Sequence, residues 1–164
     1  MVKIAVIGLP GSGKSTFASQ LSQKLNIPVH HLDRHMFESD GRSKDRIEKR
    51  KIEQTLVKKP SWIIDGCSIS TLEARFASAD RIIYFDFPRS LCIWRVFKRI
   101  FTWNEQLTNS GCLRGVNYSL LYYIWNFDRD KRPLIETLRH AYPHVSFLIF
   151  KRSKDAEAYL HSVM

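Results

Sequence analysis

The sequence predicts a three-layer α/β sandwich, a parallel sheet between two layers of helices, and two observations lead there. Five short apolar runs, Ile4–Ile7, Pro28–Leu32, Trp62–Asp65, Arg81–Phe87 and Val145–Phe150, are near-continuous rather than alternating. Strands look like this when helices cover both faces of a parallel sheet. Helical patterns separate the runs, and repeated strand–helix–strand units join by right-handed crossovers. With 164 residues, 44% of them hydrophobic, the chain fits one domain, 1–164, with apolar residues enough for a core.

After the first strand, Phe17, Ala18, Leu21 and Leu25 form one helical stripe, which Asn26 and Pro28 stop. Ser70-Thr71-Leu72-Glu73 matches a capping box, with Leu72 and Phe76 on one face behind it. Ser153 suits the cap of a last helix that carries Asp155 and Glu157 early and Leu160 and Val163 on its buried side. Two connections, 33–60 and 88–144, are longer than a crossover helix requires, and long insertions in compact domains are usually lids or binding modules.

Charge separates these connections from the scaffold. Residues 41–59 carry eight Lys/Arg against three Asp/Glu, and residues 89–132 carry the same numbers, so each contributes +5 to a net charge of +10. A basic protein attracts polyanions, which leaves phosphate-rich small molecules and, more weakly, nucleic acid as partner classes. No apolar run reaches the ~18 residues that span a bilayer, and the N-terminal apolar stretch is too short for a signal peptide. The cysteines, Cys67, Cys92 and Cys112, are odd in number and lack CxxC spacing, so a reducing, cytoplasmic setting fits better than a disulfide framework or a zinc site.

The chemistry is carried by Gly8-Leu9-Pro10-Gly11-Ser12-Gly13-Lys14-Ser15, which is GxxxxGK[ST] between a predicted strand and a predicted helix. Gly8, Gly11 and Gly13 let backbone N–H groups of the loop, that of Ser12 included, close on phosphate oxygens without a Cβ in the way, and Pro10, which has no N–H to offer, belongs to the same phosphate-binding loop. The helix that begins near Gly13, with Thr16 in its first turn, adds a favourable potential for an anion. Lys14, expected on an exposed loop, reaches the β- and γ-phosphates, and the Ser15 hydroxyl ligates Mg²⁺. A second carboxylate is expected at a buried strand end. Asp65, followed by Gly66, is the first candidate and Asp86 the runner-up; the other role for either is capping a turn.

Some classes are disfavoured. No NKxD-like triplet reads guanine, and Asp65 is not followed by the water-activating Glu of motor ATPases.

The motif, the strand ending in Ile64-Asp65-Gly66 and the two basic insertions resemble the adenylate-kinase-like P-loop kinases. Pro28-Val29-His30-His31-Leu32-Asp33, Trp62-Ile63-Ile64-Asp65-Gly66 and the basic run through Arg95, Arg99, Arg129 and Lys131-Arg132-Pro133 resemble the bacterial "DNA topology modulation protein" group within it. The resemblance implies a five-stranded parallel sheet in the order 2-3-1-4-5, an acceptor-binding insertion after strand 2 and a helical lid after strand 4. It also implies ATP and Mg²⁺ as cofactors and a kinase reaction. In the lid it implies that Arg95 and Arg99 contact adenine and phosphate. True adenylate kinases follow Asp-Gly with an aromatic residue, Pro and an Arg that grips AMP. Here Cys67-Ser68-Ile69 stands instead, which points away from AMP.

Related small-molecule kinases place an acceptor-binding carboxylate after strand 2, where this chain has Asp33, suited to binding a hydroxyl or taking its proton. The His31-x-Asp33-x-His35 spacing would suit a metal, although packing or substrate hydrogen bonding is the commoner use of such histidines. Arg42, Arg46 and Arg50 recur at i, i+4 and i+8 and form either a solvated face beside Ile47, Ile52 and Leu56 or a grip on an anionic acceptor. In 91–101, Arg95, Lys98 and Arg99 share a face opposite Cys92, Ile93, Val96, Phe97 and Ile100. That face reads as the lid, the alternative being a membrane or nucleic-acid contact. Arg129 and Arg132 at the far end suit neutralisation of a transferring phosphoryl group on closure. Tyr118, Tyr122, Tyr123, Trp125 and Phe127 are expected to pack the lid helices, the other reading being stacking of single-stranded bases. A nucleic-acid-associated regulatory ATPase is the alternative function that these basic insertions allow.

Overall fold

The computed structural model describes residues 1–36, 44–66, 68, 71–101 and 118–163, the side chains of Arg34, Arg99, Ile100, Phe101 and Ser119 excepted. Strands β1 (Lys3–Gly8), β2 (Val29–His31), β3 (Trp62–Asp65), β4 (Arg81–Phe85) and β5 (Ser146–Phe150) form one parallel sheet in the order β2-β3-β1-β4-β5. This is the order that the resemblance to adenylate-kinase-like kinases implies. Ile4, Ala5, Val6 and Ile7 are all buried, and successive strand residues face opposite sides, so the sheet is covered on both faces.

The cover comes from helices α1 (Lys14–Leu25), α2 (Leu32–His35), α3 (Arg46–Val57), α4 (Leu72–Ser78), α5 (Arg89–Phe101), α6 (Tyr118–Asp130), α7 (Arg132–Ala141) and α8 (Ser153–Ser162). Helix α1 packs on β1, β2, β3 and α8, whereas α4 packs on β1, α3 and α7. The predicted stripe of α1 is buried at Phe17, Ala18 and Leu21. The helix ends where Asn26 turns left-handed (φ 52°) and returns its N–H to the Ser22 carbonyl, ahead of Pro28.

Two caps differ from expectation. Thr71 stands at the start of α4 with no side-chain cap; its hydroxyl bonds to Ser68 instead, and Ser70 lies outside the described residues. At α8 the carboxylate of Asp155 reaches back to the N–H groups of Lys151 and Arg152. Ser153 is left to accept from Arg95.

Cys92 and Val96 of α5 are buried as the amphipathic pattern requires, but Phe97 is 40% exposed and so departs from that face. The aromatic residues of α6 divide. Phe127 is buried and Tyr123 packs against the core, yet Tyr118, Tyr122 and Trp125 are 82%, 54% and 63% exposed. Positions 118, 122 and 125 share one helical face, and that face turns away from the core. Among the described residues, no helix is long and apolar enough to cross a membrane.

Candidate active site

The site is assembled where β1 ends. Gly11 has a φ of +83°, and a Cβ there would lie 2.5 Å from the Cys92 carbonyl oxygen of α5, so only glycine lets the loop pass. Ser12 N–H closes the turn onto the Leu9 carbonyl at 3.2 Å, and the helical ladder of α1 begins with Phe17 N–H to the Gly13 carbonyl. Gly8 pairs with Phe85 of β4, Pro10 is half-buried and Thr16 is exposed.

Lys14 corrects an expectation. It is buried (6% exposed), because its side chain folds back over the loop and its ammonium donates to the Leu9 carbonyl at 3.4 Å. That bond is long, and in the same loop the buried Ser12 hydroxyl has no hydrogen-bond partner among the described residues. A buried ammonium and a buried hydroxyl without good partners are costly. Phosphate oxygens would satisfy both, so the loop fits a polyphosphate.

Asp65 ends β3 beside this loop. Ser15 donates its hydroxyl to Asp65 Oδ2 at 2.5 Å, and His31 Nδ1 donates to Oδ1 at 2.6 Å. Register explains the second contact, since His31 and Asp65 are partners across β2 and β3. His31 Nε2 lies 3.4 Å from Ser19 Oγ, one turn along α1 from Ser15. Burial raises the Asp65 pKa; the His31 hydrogen bond, Lys14 and the Ser15 hydroxyl outweigh it and leave the group below the usual carboxylate range. Ser15 and Asp65 are therefore a hydroxyl and an ionised carboxylate in contact, a donor set that suits Mg²⁺ or its waters. The sequence pattern offers His31 as a metal ligand with Asp33 and His35, or as a packing or substrate-bonding residue, and does not pair it with Asp65. The predicted strand order, which sets β2 beside β3, was the signal that could have paired it with Asp65.

The remaining candidates divide by distance from the loop. Arg95 reaches it, donating to the Ser12 carbonyl at 3.2 Å and to Ser153 Oγ at 2.8 Å, with its guanidinium 5.6 Å from the centre of the Phe87 ring. The Arg99 side chain lies outside the described residues. Arg132 is held by Asp86 at 2.5 Å and by Asp128 at 3.8 Å, so the runner-up carboxylate Asp86 serves as a partner to an arginine. Arg129 faces Asp130 at 2.8 Å and is exposed.

Asp33 is exposed at the start of α2, its Oδ1 3.5 Å from where a Cβ on Gly66 would stand. It thus shares with Asp65 the carboxyl end of the sheet. His35 lies beside His30, ring centres 6.2 Å apart, and among the described residues no three His, Cys, Asp or Glu side chains converge on a metal position. Arg46 and Arg50 are exposed on α3, and Arg42 lies outside the described residues, as do Cys67 and Ile69. Glu53 and Arg75, a buried pair between α3 and α4 at 2.7 Å, are not among the residues that the sequence singles out.

No protein-family model matches this sequence, and neither does any curated protein sequence. Solved structures do match over nearly the whole chain. A shikimate kinase from Bacteroides thetaiotaomicron is 17% identical, with a TM-score of 0.63, 98% of this chain covered and 95% of that one. A gluconokinase from Sinorhizobium meliloti 1021 is 15% identical (TM-score 0.61, coverage 98% and 92%). A sugar kinase from Janibacter sp. HTCC2649 is also 15% identical (TM-score 0.60, coverage 99% and 91%). With its strand order and loop geometry, the chain has the fold of the P-loop kinases.

Proposed function

We propose that the protein is a cytoplasmic Mg-ATP-dependent kinase that transfers the γ-phosphoryl group of ATP to a hydroxyl of a small molecule. The observation that carries this reading is the poorly satisfied pair of buried groups in the loop, Lys14 and the Ser12 hydroxyl, next to an ionised Asp65 that already holds Ser15. Lys14 holds the β- and γ-phosphates, with the loop N–H groups from Gly8 to Thr16 around them. Ser15 and Asp65 hold Mg²⁺, which when bound neutralises charge on those phosphates. Arg95, which donates to the Ser12 carbonyl and to Ser153 Oγ, and Arg99, one turn further along the same helix, contact the adenine and a phosphate of the nucleotide. In the step itself the acceptor oxygen bonds to the γ-phosphorus as the bond to the β–γ bridging oxygen breaks. ADP leaves with the electron pair, and the hydroxyl proton passes to Asp33. Arg132 and Arg129, from the 88–144 insertion, neutralise the transferring group on closure.

The kinase neighbours, named for acceptors that carry hydroxyl groups, support a small-molecule acceptor. An anionic group on it would find its cation on α3 of the 33–60 insertion, where Arg46 and Arg50 are exposed. It would not find one on α4, where Arg75 is turned inward. The test is to incubate the protein with labelled ATP and a panel of sugars, polyols, shikimate, gluconate, nucleosides and AMP. A phosphorylated hydroxyl compound is expected, with AMP a poor acceptor; transfer to none of them would sink the reading.

A regulatory ATPase of the topology-modulation type is the second reading, and the exposed face of Tyr118, Tyr122 and Trp125 favours it. Tyr118 and Tyr122 stack with centres 6.4 Å apart, and Arg89 lies over the Trp125 ring at 5.0 Å. Single strands bind to such aromatic and basic surfaces. Titration of labelled single-stranded and duplex DNA at 150 mM salt, with and without an ATP analogue, separates the two. The kinase reading expects binding no tighter than about 10⁻⁶ M, weakened by the analogue.

A further inference from the structure

Arg75 of α4 is fully buried, and a buried guanidinium carries five N–H donors that need acceptors. Nη1 donates to the Gly66 carbonyl and Nη2 to the Ser68 carbonyl, each at 2.7 Å. Nε faces Glu53 Oε1 of α3 at 2.7 Å. One side chain therefore spans two helices and the carbonyls of two residues just beyond β3. Gly66 follows Asp65 immediately and abuts α2: a Cβ there would stand 2.9 Å from Leu32 Cβ and 3.5 Å from Asp33 Oδ1. Gly66 N–H is also tied to the Val6 carbonyl at 3.2 Å, on the strand that leads into the phosphate loop.

The chemistry of the pair is specific. Burying two charges is costly, and apolar residues of similar volume usually hold helices together as well or better. The planar fork of an arginine gives each carbonyl its own nitrogen while Nε faces Glu53; a lysine, with a single nitrogen, does not reproduce that arrangement. Glu53 lies close to Nε but off the angle of a hydrogen bond, so both its oxygens lack such partners among the described residues. Its hold on Arg75 is electrostatic and sets the direction of the fork.

We propose that Arg75, steered by Glu53, is a positioning residue for the acceptor: by clamping the Gly66 and Ser68 carbonyls it fixes where an acceptor bound at Asp33 lies relative to the phosphate loop. The assignment rests on reading this end of the sheet as a kinase acceptor site. It also gives α3, the helix of the 33–60 insertion, a direct line to the end of β3.

The test compares Arg75→Lys, Arg75→Met and Glu53→Gln with the unmodified protein. Amide hydrogen exchange is followed along the chain, affinity is measured for the imido analogue of ATP with Mg²⁺, and kinetics are run with the best acceptor of the panel above. In Arg75→Lys, which keeps a cation against Glu53, exchange of the Gly66 N–H, bonded to the Val6 carbonyl, should rise at least tenfold while α1 and the phosphate loop stay within twofold. Analogue affinity should stay within threefold, and KM for the acceptor should rise about tenfold with a smaller change in kcat. Glu53→Gln should show the same pattern more weakly. Exchange of the Gly66 N–H within twofold of the unmodified protein in Arg75→Lys overturns the proposal. So does faster exchange spread over the sheet and α1 with loss of analogue binding, which marks a general packing role. Should Arg75→Met fail to fold, the lysine variant alone decides. If the unmodified protein binds no analogue, the kinase reading fails, and the exchange result still decides whether Arg75 clamps the chain at Gly66.

Discussion

Where β3 meets α1, the buried carboxylate of Asp65 accepts hydrogen bonds from Ser15 and His31 and feels Lys14 nearby, and its pKa lies below the ordinary range. Where α3 meets α4, the buried carboxylate of Glu53 has a guanidinium at 2.7 Å but no well-directed hydrogen bond, and burial raises its pKa to about 7. Both groups are buried and both have a cation close by. The difference lies in directed donors, which stabilise the charged form of Asp65 and are missing at Glu53. One region of the molecule is built to keep a negative charge at neutral pH, while the other holds a charge that is close to being lost.

The largest effect that tests this contrast comes from Lys14→Ala. Removing a charged donor to the transferring group costs roughly 10²–10³ in turnover. The fold should survive, with melting lowered by no more than about 4 °C, the equivalent of about 1 kcal/mol, because the ammonium makes one long bond. Turnover within tenfold of the unmodified protein would remove Lys14 from the phosphate site. Next in size is Asp65→Asn, which should weaken the response of activity to Mg²⁺ by about 10–100-fold, as loss of a group at a metal site does. Glu53→Gln should leave the Mg²⁺ response unchanged; a matching loss in both would erase the distinction between the two carboxylates.

The third effect is a pH slope. The unfolded chain releases the Glu53 proton near 4.5, whereas the folded protein keeps it up to about 7. The folded state then binds more protons between these values, so this group's contribution to stability falls as pH rises through that window. Its size is on the order of 1–3 kcal/mol, with Arg75 of α4 opposing it. Measured by denaturation from pH 5 to pH 8, Glu53→Gln should gain on the unmodified protein as pH rises. Parallel curves would mean that Arg75 keeps Glu53 ionised throughout. The smallest effect is expected at the exposed arginines of α3: Arg46→Ala with Arg50→Ala should raise KM about threefold to tenfold for anionic acceptors and leave neutral ones unchanged, a single charge-assisted bond being worth about 1.5–3 kcal/mol when well formed.

The two regions also differ in how far the sequence revealed them. The β1 strand, the loop from Gly8 to Ser15 and α1 were readable because their geometry is local: glycine conformations, a helix start and an apolar stripe lie within 25 residues of the N-terminus. The strand order and Asp65 followed from buried runs and a resemblance. Pairings between elements were not legible. His31 meets Asp65 only through sheet register. Glu53 and Arg75 lie on helices whose mutual packing no local pattern encodes, although an acidic residue beside Ile52 and Leu56 on the apolar side of α3 hinted at a buried partner. Lys14 was misjudged as exposed because burial of a lysine depends on how its stem folds over the loop. On α6, apolar composition could not tell which aromatic residues face inward.

The clamp at Arg75 has a consequence for anyone exchanging acceptor modules among such domains. Residues 33–60 look like a cassette, entered and left through the sheet, and grafting a foreign segment there is an obvious route to new acceptors. Helix α3, however, brings with it the counter-charge of a guanidinium that belongs to the host scaffold. A graft without an acidic residue at the position of Glu53 would leave the Nε side of that buried guanidinium with no partner from α3. Chimeras should therefore carry Glu53 over or replace Arg75 at the same time, and paired libraries varying both positions should yield folded recombinants where single-site grafts fail.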